Sequence, residues 1–199
     1  ALAIAIGQEI EKGADGIVIG HGTDTMSHTG AILSFMVQDS PVPIVLVGSQ
    51  RSSDRPSSDA ALNLMNAVRT AAECDIAEVM LCMFGPTSDN YDLLHRGTRC
   101  RKMHSSYRST FRTVGATPMA TVARYPHENG SHFTYLTQDF VRRDKTRKPG
   151  KPPLSPETVQ RVVDLALGPP PGEATHWTGR ELAKAAGVAL EEDAVALGF

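Results

Sequence analysis

The first 84 residues alternate between two spacings of apolar side chains. Consecutive apolar residues at 16–20, 43–48 and 78–84 are typical of short strands buried on both faces. Helical spacing separates them at 27–38 and 59–72, and an opening helical stretch ends at Gly13. This β-α-β-α-β order predicts an α/β fold with an open, mainly parallel sheet that is covered by helices on both faces.

The pattern changes after residue 84. Turn residues flank the segment YDLLHRGTRCRKM within residues 85–118, which predicts a hairpin overhanging the edge of the sheet rather than another crossover helix. Clear periodicity is lost after Pro118. We predict a partial α/β domain over 1–140, a basic, proline-rich linker over 141–154, and a helical tail over 155–199 with helices at 155–167 and 178–187.

Composition and charge narrow the class of protein. A chain of 199 residues with 41% hydrophobic residues can form one ordinary domain with a small appendage. No apolar run reaches the roughly 20 residues of a membrane span and no leader is recognised, so we expect a cytoplasmic location. Three cysteines, Cys74, Cys82 and Cys100, include no C-x-x-C pair, which predicts reduced thiols packed in the interior.

The net charge of −2 hides an uneven distribution of charged side chains. Residues 92–151 contain 13 basic and 4 acidic side chains, whereas the segments on either side are acidic. This middle block either faces an anion or forms a solvated face and linker, and the sequence leaves both interpretations open.

A polar loop follows the first predicted strand. His21-Gly-Thr-Asp-Thr25 leads directly into a helix, so a hydroxyl and a carboxylate lie beside backbone amides at a helix start. Ligands of open parallel sheets bind beyond the carboxyl ends of the strands, where this loop falls. The alternative is helix capping, with Thr25 or Ser27 as N-cap and Asp24 interacting with the helix dipole.

A second polar loop, residues 48–59, follows the next predicted strand. Ser58 or Asp59 could cap the following helix. Arginine–carboxylate pairs could account for the other charged residues, which are Arg51, Asp54, Arg55 and Asp59. Neither explanation accounts for the density of polar residues in both loops at once.

Three segments resemble the asparaginase family. These are GIVIGHGTDTMSHTGAILSF, PIVLVGSQRSSDRPSSDAALNLMNAV and HRGTRCRKMHSSYRSTFR. The resemblance covers residues 1–140 and is strongest to the D subunits of archaeal glutamyl-tRNA(Gln) amidotransferases. It implies a sheet of the asparaginase N-terminal domain type and a threonine amidohydrolase. Such an enzyme releases ammonia from the side-chain amide of asparagine or glutamine, alone or as the glutaminase subunit of a tRNA-dependent amidotransferase.

The same resemblance implies roles for individual residues. By motif position, Thr23, Asp24 and Lys102 are the catalytic residues, and Gly22, Thr23, Asp24 and Ser49 bind substrate. A threonine hydroxyl needs a base to accept its proton, which a lysine beside a carboxylate can do. Without the resemblance, Lys102 is equally well explained as one more cation in a basic run. No cofactor is implied, and His21, His28, His95 and His104 lack the spacing of metal ligands, so no metal is expected.

The sequence also departs from this family. The Thr-Gly-Gly-Thr-type motif that carries a second essential threonine is absent, as is the strand before it. This predicts a sheet that is incomplete at its N-terminus and little or no turnover by the isolated chain. The family's smaller C-terminal domain is not recognised either, and residues 154–189 instead resemble the helix-turn-helix linker of certain transposases.

Two alternatives to an active enzyme follow from these departures. One is a catalytically incomplete fragment. The other is a nucleic-acid-binding module that uses the basic middle block and the tail, although Glu191, Glu192 and Asp193 would repel phosphates where a recognition helix would lie. The expected partners are asparagine or glutamine and either a second copy or another polypeptide of an amidotransferase. Contact with tRNA is left open, and no membrane contact is expected.

Overall fold

A computed structural model describes residues 1–85 and 88–144, and five further helical positions. Those five are Glu157, Arg161, Asp164, Lys184 and Ala185. The chain divides into two compact units, Ala1–Gly150 and Lys151–Phe199. Apart from these five positions, the predicted tail helices lie outside the described residues, as does the predicted linker beyond residue 144.

The first half of the larger unit alternates helices and strands as predicted. The elements are α1 (Leu2–Glu11), β1 (Ile17–Gly20), α2 (Met26–Met36), β2 (Ile44–Val47), α3 (Ala60–Glu73) and β3 (Val79–Phe84). The three strands are parallel and adjacent, with Ile17 beside Ile44 and Ile44 beside Val79. Because they are parallel, β1 and β2 end at the same edge of the sheet, and the α/β class with an open sheet is confirmed.

The second half adds antiparallel strands. These are β4 (Tyr91–Arg96), β5 (Cys100–Lys102), β6 (Phe111–Thr113), β7 (Ala120–Ala123) and β8 (Phe133–Tyr135), with a short 3₁₀ helix at Gly97–Arg99. The main sheet has six strands in the order β1-β2-β3-β4-β7-β8, and β5 pairs with β6 in a separate two-stranded ribbon.

One expectation about this half is corrected, and two of its strands were not predicted. The segment predicted as an overhanging hairpin contains β4, which lies inside the main sheet between β3 and β7. Among the described strands, only the ribbon β5–β6 stands apart from that sheet. The strands β7 and β8 were not predicted, because runs of four and three residues are too short for their alternation to stand out. In the part of the chain that the structure describes, parallel pairing is confined to β1–β3, and the strands added beyond β3 are antiparallel.

The core lies on both faces of the sheet. Successive side chains of β3 point to opposite faces, so Met80 and Cys82 pack on the α3 side while Leu81 and Met83 pack on the α1 and α2 side. All six residues of β3 are buried, as expected for a strand covered by helices on both faces. The three cysteines are free and buried, which confirms the prediction that they pack in the interior. Within the described part of the chain, no helix is long and apolar enough to cross a membrane.

Candidate active site

The two polar loops lie side by side at the carboxyl ends of β1 and β2. The His21 amide donates a hydrogen bond of 2.8 Å to the Val47 carbonyl. A Cβ added at Gly48 would lie 2.5 Å from the His21 carbonyl oxygen and 3.2 Å from Thr23 Cγ2, so only glycine allows this approach. Parallel pairing of two short strands therefore brings together two loops that are well separated in the sequence.

A lysine from the ribbon joins the first loop. Lys102 is the last residue of β5, and its Nζ donates hydrogen bonds to Thr23 Oγ1 at 2.9 Å and to Asp24 Oδ1 at 2.7 Å. The Lys102 side chain is 13% exposed, while that of Asp24 is 91% exposed. A hydroxyl, an amine and a carboxylate thus meet at the mouth of the site, with the amine largely shielded from water.

The Lys102 ammonium affects the ionisation of Asp24. Its hydrogen bond and its positive charge lower the pKa of the Asp24 carboxyl from its usual value. Asp24 therefore remains ionised at neutral pH. An ionised carboxylate at this distance stabilises positive charge on the Lys102 nitrogen.

Helix capping does not explain the first loop. Thr25 precedes the first turn of α2, but its side chain makes no capping hydrogen bond. Ser27 is buried one position inside the helix, and Asp24 bonds to Lys102. The Thr23 and Asp24 side chains are thus bonded to Lys102 and do not cap the start of α2.

Close packing of glycines brings β5 towards this loop. A Cβ on Gly97, in the 3₁₀ helix, would lie 2.7 Å from the Gly30 carbonyl oxygen and 2.6 Å from Ser34 Oγ, both in α2. A Cβ on Gly30 would in turn lie 2.6 Å from Leu81 Cδ1. The absence of side chains at these two positions lets the chain between β4 and β5 lie against α2, and β5 then extends to the loop that precedes α2.

This packing predicts the effect of adding one methyl group. Gly97→Ala is expected to lower the free energy of unfolding by about 1–3 kcal/mol, because the new Cβ meets backbone oxygens that cannot move independently. Urea denaturation measures this change. Gly7→Ala is the matched control, since nothing lies within 4 Å of a Cβ there and alanine favours helix α1. Equal stability of the two variants would contradict the role given to Gly97.

A buried carboxylate shapes the second loop. Asp59 accepts hydrogen bonds from the amides of Gln50 and Arg51 and from Asn63 Nδ2, at 2.8–3.1 Å. Asn63 Nδ2 also donates to the Gly48 carbonyl at 2.8 Å. These bonds hold residues 48–51 in a fixed turn beside Thr23. Ser49 lies within that turn and is half-buried.

The interpretations of the second loop from sequence are partly corrected. Among residues 48–59, all of which are described, no arginine–carboxylate ion pair forms; the Arg51 guanidinium donates to the Pro56 carbonyl instead. Asp59 stands just before α3 without capping it, whereas the Ser58 hydroxyl accepts from the Ala60 amide at 3.2 Å. The loop is thus organised by its own backbone amides rather than by ion pairs.

Several contributors to the site were not predicted from the sequence. Asn63 is fully buried in α3, and Gln50 Nε2 donates to the Ser105 carbonyl in the loop between β5 and β6. Arg108, in that same loop, donates to the Ser57 carbonyl at 3.3 Å and to Asp89 Oδ1 at 2.8 Å. An asparagine on the apolar face of a helix is the one signal that could have indicated a buried polar contact here.

Three of the four histidines singled out in the sequence make local contacts. His21 Nδ1 donates to the Gly22 carbonyl at 2.7 Å, His95 is buried beside Thr113, and His104 stacks on Tyr107. No group of three or more His, Cys, Asp or Glu side chains among the described residues is placed to hold a metal ion.

The fold and the site define an α/β protein with a hydroxyl, an amine and a carboxylate gathered at the carboxyl ends of parallel strands. A family model described as the asparaginase N-terminal domain matches residues 1–134. The chain therefore belongs to the asparaginase family.

Curated relatives are longer than this chain. The chain is 61% identical over 175 residues to the glutamyl-tRNA(Gln) amidotransferase D subunit of Methanosphaera stadtmanae, covering 81% of this chain and 39% of that protein. It is 51% identical over 155 residues to the corresponding protein of Thermococcus kodakarensis, covering 78% of this chain and 33% of that protein. The chain thus spans well under half the length of these relatives.

Solved structures agree with this assignment. L-asparaginase I from Vibrio cholerae has a TM-score of 0.57 at 30% identity, covering 75% of this chain and 40% of that one. The thermostable L-asparaginase from Thermococcus kodakarensis has a TM-score of 0.51 at 28% identity, covering 76% and 40%.

Proposed function

We propose that this chain carries the catalytic centre of an amidohydrolase that releases ammonia from the side-chain amide of asparagine or glutamine. The observation that carries the proposal is the Lys102 nitrogen, which lies within hydrogen-bond distance of both Thr23 Oγ1 and Asp24 Oδ1. This is the arrangement of a nucleophile, a base and a group that orients the base. Membership of the asparaginase family supports the same reaction.

The reaction follows from the positions of these three groups. The reaction begins once the Lys102 ammonium has released a proton to solvent; Thr23 Oγ1 then transfers its own proton to Nζ as the oxygen attacks the amide carbon. Asp24 stabilises the resulting ammonium at 2.7 Å. Lys102 then returns the proton to the amide nitrogen as the carbon–nitrogen bond breaks, which releases ammonia and leaves an ester on Thr23. Water hydrolyses that ester to the carboxylic acid.

Substrate binding is assigned to the two adjacent loops. The exposed Asp24 carboxylate is suited to the α-amino group of a free amino acid, as well as to Lys102. Gly22 leaves room beside Thr23, since nothing lies within 4 Å of a Cβ at that position. Ser49 lies in the turn fixed by Asp59 and offers a hydroxyl to the substrate.

The same proposal includes the partners of the protein and its cellular location. Several relatives are named as components of a glutamyl-tRNA(Gln) amidotransferase, which favours delivery of ammonia to a partner polypeptide and an RNA-linked role. A homodimer of the asparaginase type is the alternative assembly. We assign the protein to the cytoplasm, where three buried, unpaired cysteines would stay reduced.

A chimera tests the proposed reaction. Residues 1–134 of this chain replace the matching segment of the Methanosphaera stadtmanae relative, which supplies the remainder of a longer protein. Ammonia release from asparagine and from glutamine is measured for the parent and the chimera. We expect the folded chimera to release ammonia, and Lys102→Met to reduce the rate by about 10³-fold because the base is lost.

The matched control is Lys12→Met, which removes an exposed lysine from the end of α1. It is expected to leave the rate unchanged. A chimera that melts cooperatively but releases no ammonia, while the parent does, would contradict the assignment. The isolated 199-residue chain, assayed in parallel, is expected to show little or no turnover.

A further inference from the structure

The ribbon β5–β6 and the chain around it carry an unusual distribution of charge. Residues 97–118 contain five basic side chains and no acidic one. Lys102 and Arg108 have carboxylate partners, Asp24 and Asp89. The other three, Arg99, Arg101 and Arg112, form no ion pair with any carboxylate in the described part of the chain, so their charge is unbalanced.

Two of these arginines face each other across the ribbon. Arg101 and Arg112 are directly opposite in the register, and both are exposed. Their neighbours Cys100 and Phe111 are buried, because alternate residues of a strand point to opposite faces. Like charges directly opposite on a ribbon are destabilising, so this pairing costs stability that an anion lying across the ribbon would restore.

Two of the three guanidinium groups are held by hydrogen bonds but not neutralised. Arg112 Nη1 donates to the Phe111 carbonyl at 3.1 Å and also to the Ser109 carbonyl. Arg99 Nη1 lies 3.5 Å from the Gly115 carbonyl. Carbonyl oxygens orient these groups while leaving their positive charge and several N–H donors for a ligand.

The same part of the molecule offers apolar and aromatic surface. An open groove of about 600 Å³ is lined by Thr98, Arg99, Cys100, Arg101, Met103 and Val114. In the loop that joins β5 and β6, Tyr107 is 62% exposed and stacks on His104 with ring centroids 4.1 Å apart. An exposed aromatic pair in the loop that connects the strands of Arg101 and Arg112 suits a ligand with both phosphates and bases.

We propose that this ribbon binds RNA with unpaired bases, with Arg99, Arg101 and Arg112 contacting phosphates and Tyr107 stacking on a base. Single-stranded RNA fits better than a duplex, because stacking on a side chain requires an exposed base face. The catalytic Lys102 points away from this surface and is bonded to Asp24. The RNA-linked role proposed above would be carried out by this surface. The observations that support RNA binding all come from the ribbon and the loop that joins its strands.

Binding of a labelled RNA to the full chain tests this proposal without any turnover. Fluorescence anisotropy of an unstructured RNA of about 20 nucleotides, longer than a single-strand binding site, is measured over a series of salt concentrations. The double variant Arg101→Ala/Arg112→Ala is expected to weaken binding by about tenfold or more. It should also reduce the slope of log K against log salt by about 1.4, since about 0.7 of a counterion is released per phosphate contact.

Two further variants serve as comparisons. The first tests whether the loss of any two exposed arginines weakens binding, and the second tests the contribution of stacking apart from that of charge. Arg124→Ala/Arg142→Ala removes two exposed arginines outside the ribbon and is expected to change the affinity by less than about twofold. Tyr107→Ala is expected to weaken binding by about tenfold without changing the salt slope. The ribbon double variant should melt at or above the temperature of the unmodified chain, because it removes a like-charge pair.

Several outcomes would overturn the proposal. These are undiminished binding by the ribbon double variant, equal weakening by the control pair, or no RNA binding at all. Equal affinity for duplex DNA or heparin would leave a general polyanion site and reject the specific claim about RNA. Because none of these measurements uses ammonia release, failure here and failure of the amidohydrolase assignment remain distinguishable.

Discussion

Thr23→Ala, introduced into the chimera, is expected to reduce ammonia release by about 10⁴-fold or more. Removal of a nucleophile that acts together with its base leaves only the contribution of binding, and comparable sets lose several orders of magnitude. The Thr23 hydroxyl is the group that Lys102 Nζ contacts at 2.9 Å. The loss should therefore appear in kcat rather than in KM, because the missing bond forms only during the reaction.

The neighbouring threonine provides the control. Thr25 lies two residues away, is exposed, and makes no capping hydrogen bond, so Thr25→Ala is expected to keep the rate of the unmodified chimera. Thr23→Ser retains a hydroxyl and should recover part of the activity that alanine loses. Similar rates for Thr23→Ala and Thr25→Ala would remove Thr23 from the catalytic set, whereas the asparaginase fold would be unaffected.

The second large effect concerns a buried carboxyl away from the site. Asp92 of β4 is fully buried, and its Oδ2 accepts a hydrogen bond of 3.0 Å from Asn66 Nδ2. Its Oδ1 has no hydrogen-bond partner among the described residues. Burial raises the pKa of Asp92 to about 7, which the hydrogen bond from Asn66 only partly opposes.

This raised pKa makes stability fall as pH rises. Between about pH 4 and pH 7 the folded chain holds a proton on Asp92 that the unfolded chain has released, so deprotonation favours unfolding. From pH 5 to pH 8 this group is expected to remove about 2–3 kcal/mol from the free energy of unfolding. Above pH 7 the effect of this group levels off.

Asp92→Asn tests this expectation by urea denaturation at pH 5 and pH 8. The asparagine cannot ionise, and its side-chain oxygen can still accept from Asn66. The free energy of unfolding of the variant, relative to that of the unmodified chain, should thus be higher at pH 8 than at pH 5 by about 2–3 kcal/mol. Glu128→Gln, which removes an exposed negative charge in the turn before β8, is the control for a change of net charge. A difference between variant and parent that does not vary with pH would contradict the ionisation assigned to Asp92.

Much of the fold could be predicted because its signals are local. The apolar runs of β1, β2 and β3 are long enough to distinguish strands from the helical spacing of α2 and α3. The strands β7 and β8 are short and each contains a threonine, so they lack a continuous apolar run, and their neighbours decide their conformation. Only the assembled sheet shows that β4 lies inside it.

The candidate site likewise has a part that could be predicted from the sequence and a part that could not. Parallel strands necessarily end at one edge of the sheet, so the proximity of the His21–Thr25 loop to the turn at Gly48 could be inferred from the sequence. The buried Asp59 and Asn63 could not, because hydrogen bonds to loop amides leave no periodic pattern in the residues that make them.

By itself, the sequence determined the α/β class, the positions of both polar loops and, through its motifs, the asparaginase family. The tertiary structure alone decided that Lys102 lies 2.9 Å from Thr23, since this distance depends on the packing of Gly97 against α2 rather than on any local preference. It also decided that Arg101 faces Arg112, because the register of a ribbon is set by its pairing. The local spacing of apolar residues determines the helices and strands, whereas contacts between residues distant in the sequence form only when these helices and strands pack together.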